Sequence, residues 1–136
     1  MCVNTSAKMK NNMENTLYHR LGKENLKLLV SYFYDLVFED EQIKHLFKND
    51  KSEIMEKQFM FLSQFLGGPS LYSDKLGHPR MRARHLPHRI TQTDAVAWLK
   101  CMSAALDKLP ISELLKDELF ERFPQTAMFM VNTIEE

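Results

Sequence analysis

The sequence predicts an all-α domain, and three observations carry that expectation. Apolar residues recur three and four apart in four long segments. No stretch alternates polar and apolar residues as a half-buried strand does. Glycine and proline clusters punctuate the segments instead of interrupting them, with Pro124 the exception.

At 136 residues the chain is long enough for one core and too short for two. Its 18 basic and 18 acidic residues balance, so charge gives no general pull toward nucleic acid or a membrane surface. No apolar run approaches the roughly 20 residues that span a bilayer. Residues 1–15 are polar and lack the apolar core of a secretory signal. They read as a flexible N-terminal tail ahead of a domain at 16–136. Cys2 in that tail and Cys101 in a helical pattern do not make a disulfide framework. The expectation is a cytoplasmic protein that engages neither nucleic acid nor membrane.

The elements follow in order. Leu26, Leu29, Val30, Phe33, Tyr34 and Val37 place an amphipathic helix over about 24–39. A short helical turn around 41–47 ends in Leu46-Phe47. Asn49, Asp50 and Ser52 mark a turn and a helix start, with Ser52 as the expected N-cap. The stripe Ile54, Gln58, Phe61, Leu62, Phe65 forms the next helix, closed by Gly67-Gly68-Pro69. Residues 69–79 read as an irregular loop bounded by prolines. Met81 to Leu86 allows one short helix, ended by Pro87. Thr91 or Thr93 caps a long helix bearing Ala95, Trp98, Leu99, Met102 and Leu106. Ser112 opens the last stretch, with Leu115, Leu119, Phe120, Phe123, Ala127 and Val131. Pro124 removes a backbone donor there, so a bend or break is expected near Phe123. The total is five or six helices.

Some side chains do not suit a plain core. Tyr34, Gln58 and Trp98 interrupt apolar faces, and a buried amide without a partner costs about 1–3 kcal/mol. His85 lies in Gly-His-Pro-Arg-Met-Arg-Ala-Arg-His-Leu-Pro at 77–87. Imidazole is a common metal ligand and arginine pairs with carboxylates, so haem, with its iron and two carboxylates, matches both. The residues alone leave other readings open: core tyrosine and tryptophan, a glutamine bonded to backbone, a structural or surface histidine.

The combination is more specific than its members. It comprises Lys57-Gln58, Phe61-Leu62-x-Gln64-Phe65-Leu66-Gly67-Gly68-Pro69, Leu71-Tyr72 and Gly77-His78-Pro79. Met81-Arg82-x-Arg84-His85-x-Pro87, Ala97-Trp98-Leu99 and Met130-Val131-Asn132 complete it. Together they resemble group II (O-type) truncated haemoglobins, from about Tyr18 to Asn132. The resemblance implies a truncated globin, a two-over-two helical sandwich around haem b (iron protoporphyrin IX). It implies His85 as the proximal iron ligand. Tyr34, Gln58 and Trp98 match the distal, ligand-facing positions, and Phe47 matches the aromatic residue on the haem face. Lys57, Tyr72 and Arg84 match positions beside the propionates, with Arg82 a further candidate there.

Three residues depart from the family pattern. Ile54 lines the distal side where a small or hydroxylated residue is usual, and it cannot donate a hydrogen bond. His88 stands where an aromatic is usual and is a local rival for the iron, although Pro87 breaks any helical face shared with His85. Pro124 puts the straightness of the last helix in question.

The expected function is binding of dioxygen and other diatomic ligands, nitric oxide and carbon monoxide, with slow oxygen release. Hydrogen-bond donors around a ligand that gathers negative charge slow its escape. Slow release suits sensing, scavenging or redox chemistry better than bulk oxygen transport. The alternative is a haem-dependent enzyme, a nitric oxide dioxygenase or weak peroxidase, with a reductase as partner. No distal histidine is evident for a tuned peroxidase, and Gln58 cannot shuttle protons. A third reading is a haem-free helical module with His78, His85 and His88 holding zinc, which normally takes four ligands. The resemblance fits a monomer or a homodimer.

Overall fold

The computed structural model describes residues 16–48, 50–80, 83, 85 and 88–134. Every regular element among them is helical. The expected tail at 1–15 lies outside the described residues, as do Met81, Arg82, Arg84, Leu86 and Pro87.

Helix α1, Leu17–Leu21, is one the sequence reading did not anticipate, since five residues are too few to show a helical period. Thr16 caps it, its hydroxyl accepting from the His19 amide. The Tyr18 amide donates to the Leu66 carbonyl at 2.9 Å. The Tyr18 ring lies on Gly68, where an added Cβ would sit 2.4 Å from Cγ of that ring. Gly67 adopts a φ of +93° beside Thr16. The Gly67-Gly68 pair is therefore both a helix stop and the landing surface for α1. A bidentate Arg20–Glu118 pair ties α1 to a later helix.

Helix α2 spans Lys23–Val37 and buries Leu26, Leu29, Val30, Phe33, Tyr34 and Val37, the stripe read from the sequence. A 3-10 turn at Lys44–Leu46 follows. Helix α3 spans Lys51–Phe65. Its N-cap is Asp50, not Ser52: the Asp50 carboxylate accepts from the Glu53 amide at 3.1 Å, which places Ser52 inside the first turn.

The stretch from 69 to 79 is not wholly irregular, because it contains helix α4, Leu71–Leu76. Gln64 supplies the reason. Its carbonyl oxygen accepts from the Ser73 amide at 3.0 Å and its amide donates to Ser73 Oγ at 2.8 Å. Those bonds fix the first turn from α3, a tertiary cause that local periodicity does not display. Further on, Ala83 and His85 have helical backbone, in keeping with the short helix expected there.

Helix α5, Gln92–Asp107, starts with a capping box: Thr91 Oγ1 accepts from the Asp94 amide and the Asp94 carboxylate accepts from the Thr91 amide. Helices α6, Glu113–Phe120, and α7, Pro124–Phe129, form the final stretch. The break falls at 121–123, and Pro124 takes the first position of α7, where its missing N–H costs nothing. The described elements thus exceed the expected five or six, mainly through the short helices.

Helix α2 packs against both α3 and α5, α5 against α6 and α7, and α1 against α2 and α6. Phe33, Leu62, Met102, Leu106 and Leu119 meet in the core with 2% exposure or less. Each such side chain contributes about 1.5–3 kcal/mol when fully buried. The core thereby fixes α2, α3 and α5, the three helices from which the distal candidates project. No helix among the described residues is long and apolar enough to cross a membrane.

Candidate functional site

A cavity of about 380 Å³ is lined by α2, the 43–47 turn, α3, α4, Pro79, His85, His88 and Ile90, α5 and α7. Its size falls in the range of about 300–1,000 Å³ usual for small-molecule pockets. Every described site residue expected from the sequence lines it: Tyr34, Phe47, Ile54, Lys57, Gln58, Tyr72, His85 and Trp98. Arg84 and Arg82 lie outside the described residues.

The helical register explains the convergence. Ile54, Gln58, Phe61, Leu62 and Phe65 recur at three and four along α3 and so face one way. Much of the wall is aromatic. Phe61 stacks on Phe65 at 5.5 Å, Phe65 stacks on Phe123 at 5.5 Å, and Trp98 meets Phe123 at 5.7 Å. Tyr34 packs edge-on against Phe47 at 5.9 Å. Packed rings hold one another's orientation, which suits a slot for a flat, largely apolar ligand.

Three donors stand in this apolar wall. The Tyr34 phenol is buried, and burial pushes its pKa well above the ordinary value. Neither its hydroxyl, the Gln58 amide nor the Trp98 indole N–H is hydrogen-bonded to a described residue. No side-chain polar atom among the described residues is fully enclosed without a partner, so each of the three keeps an open side. The expectation that Gln58 needs a polar group opposite is met by no described protein atom.

At the rim, Lys57 is exposed and pairs with Glu53 at 3.1 Å, one turn away. Such a pair is worth only about 0.2–0.5 kcal/mol, so the ammonium is free to exchange it for another anion. Tyr72 is buried beside Phe61, ring centroids 6.1 Å apart. His78 serves the turn before His85: its Nδ1 accepts from the Arg80 amide at 3.0 Å, where Arg80 has a φ of +48°.

His88 also lines the cavity, and its amide donates to the His85 carbonyl at 2.9 Å. Among the described residues no three His, Cys, Asp or Glu side chains gather in a way that holds a metal ion. A metal here needs most of its ligands from elsewhere, as iron in a porphyrin has.

Sequence reasoning did not pick out Asp94. It is buried, lines the cavity and accepts from Gln42 Nε2 at 2.8 Å, tying the 40–46 turn to the start of α5. Burial works against its charge, yet hydrogen bonds from Thr91 and Gln42 outweigh that and hold its pKa below the usual value. Thr91-x-x-Asp94 is visible as a cap signal, but nothing local shows that the carboxylate also borders a cavity.

An all-helical chain with an aromatic slot, a histidine wall and inward donors defines a globin. The bacterial-like globin family matches residues 16–132, and the chain belongs to it, as a group II truncated haemoglobin. It is 44% identical over 121 residues to the group 2 truncated hemoglobin YjbI of Bacillus subtilis, covering 89% of this chain and 92% of that one. The crystal structure of the group II truncated hemoglobin from Bacillus anthracis matches with a TM-score of 0.85 at 41% identity, covering 89% and 94% of the two chains. The truncated oxygen-avid haemoglobin from Bacillus subtilis matches with a TM-score of 0.82 at 44% identity, covering 87% and 100%.

The cofactor is haem b. The residues present fit it: stacked aromatic walls for the ring, imidazoles for the iron, a rim ammonium for a carboxylate and donors without partners among the described residues.

Proposed function

We propose that this globin binds dioxygen at haem iron held by His85, and releases it slowly. The carrying observation is that Tyr34, Gln58 and Trp98 all line one cavity and donate to no described residue. Haem, when bound, supplies an iron with one coordination position for the protein and one for a diatomic ligand.

The chain's own groups do the rest. Tyr34 stays protonated because burial disfavours its phenolate, so it remains a donor. Trp98 offers an N–H only, while Gln58 offers donors and an acceptor and can orient the other two. Phe47 would pack on the haem face and Ile54 would narrow the distal side. Lys57 and Tyr72 would hold the propionates by charge-assisted bonds, with Arg84, outside the described residues, the further candidate from the sequence. Nitric oxide and carbon monoxide share the ligand's size and occupy the same space. The name of one relative, an oxygen-avid haemoglobin, agrees with slow release.

The test is the oxygen dissociation rate of the ferrous protein beside Tyr34→Phe, Gln58→Leu and Trp98→Phe. Each variant loses one hydrogen bond, worth about 1 kcal/mol, and should release oxygen about five- to tenfold faster. Rates unchanged in all three variants would overturn the proposal.

A further inference from the structure

The sequence allows only a short helix around His85, between Met81 and Leu86. Helices need about 12–15 residues before they are even marginal alone in water, and the last carbonyls of any helix lack intrahelical donors. The His85 carbonyl accepts locally from the His88 amide, and both it and the His88 carbonyl take a further donor from 47 and 44 residues away. Asn132 Nδ2 donates to the His88 carbonyl at 2.7 Å and to the His85 carbonyl at 3.2 Å. Asn132 Oδ1 accepts from the Ile90 amide at 2.9 Å and from the Thr133 hydroxyl at 2.8 Å. The amides of Asn132 and Thr133 both donate to the Ile90 carbonyl, at 3.0 and 3.1 Å. Residues 132–133 therefore clip His85, His88 and Ile90 together.

The side-chain type is specific to that task. An Asn amide offers two N–H donors and a carbonyl acceptor on a short stem. Aspartate keeps the acceptor and loses both donors; leucine keeps the shape and loses everything polar.

We propose that Asn132 is a positioning residue for the proximal iron ligand, setting the placement of the His85 imidazole by fixing the His85 and His88 carbonyls. This rests on His85 being that ligand. Ligand orientation by outer hydrogen bonds is how proteins tune a metal-bound histidine, and here the bonds act on its backbone.

The experiment compares haem-loaded wild type with Asn132→Leu and Asn132→Asp, the latter closest in shape should leucine destabilise the fold. The iron–histidine stretching band of the ferrous, ligand-free protein is read by resonance Raman, and amide exchange is followed at Ile90. Both variants should shift or split the band. In Asn132→Leu, exchange at Ile90 and haem loss should each quicken about tenfold, the effect of three lost hydrogen bonds to His85, His88 and Ile90 partly replaced by water. The iron–carbon monoxide band, set on the distal side, should stay in place.

The same comparison is made in His85→Gly protein filled with imidazole. Free imidazole has no backbone link, so Asn132→Leu should leave its band unmoved. An iron–histidine band unchanged in both Asn132 variants overturns the proposal, as does an equal shift in the imidazole-filled background. If His85→Gly alone keeps the native band, the proximal assignment is what fails.

Discussion

Phe33 packs edge-on against Trp98, their ring centroids 5.0 Å apart at 66°. The same ring meets Tyr34 at 4.9 Å and 80°. Phe33 is 1% exposed and does not line the cavity, yet it touches two of the three donors that do. Phe33→Leu should therefore loosen both donors without removing either. Two aromatic pairs are worth about 1–3 kcal/mol together, which sets the expected loss in a denaturant titration. Oxygen dissociation should rise several-fold in the same protein; a stability loss with unchanged dissociation would separate core packing from donor alignment.

The two cavity histidines make opposite predictions. His85→Gly should abolish the ferrous proximal-histidine spectrum, and added imidazole should restore it. His88→Gly should leave that spectrum intact. The reverse result would assign the iron to His88, and resonance Raman of the two purified variants reads it directly.

Ile54 sits one turn before Gln58 on the cavity face of α3. A β-branched apolar side chain there narrows the space beside the donors without bonding to the ligand. Ile54→Ala should speed bimolecular carbon monoxide and oxygen association in flash photolysis. Oxygen dissociation should change less than in the donor variants, because no donor is lost. Unchanged association would remove Ile54 as a barrier.

The Tyr34 phenol gives a pH dependence with a definite sign. Its folded pKa lies above the ordinary 10.0. Above about pH 10 the unfolded chain has released this proton while the folded protein keeps it, so the folded state binds more protons and stability falls as pH rises. The slope reaches about 1.4 kcal/mol per pH unit. Tyr34→Phe should flatten that part of the alkaline decline in urea titrations. Between about pH 6 and 9 the phenol does not titrate in either state, so its contribution to oxygen dissociation should be constant.

Long, periodic elements were legible in the sequence because their packing is written in their own spacing. The stripe from Leu26 to Val37 is the buried face of α2, residue for residue. Elements held by distant partners were not. Helix α4 needs Gln64 to pin Ser73, and α1 needs Gly68 beneath Tyr18. Ser52 lost the cap to Asp50 because two good capping residues lay within one turn, and only backbone geometry separates them. At the site, Tyr34, Gln58 and Trp98 stood out as polar groups on apolar faces. Asp94 and Asn132 did not, since each acts through bonds to segments 42 to 52 residues away.

The clip between Ile90 and Asn132 also dictates a timetable. Its two ends are 42 residues apart. At the usual pace of synthesis, about 5–20 residues per second, a ribosome takes roughly 2–8 seconds to go from one to the other. During that interval α2, α3 and the residues before Ile90 already exist, but the histidine wall of the cavity has nothing to fasten it. Secure capture of the cofactor is then a late event in the birth of each molecule, waiting first for the wall from Phe123 to Met130 and then for the asparagine that follows it.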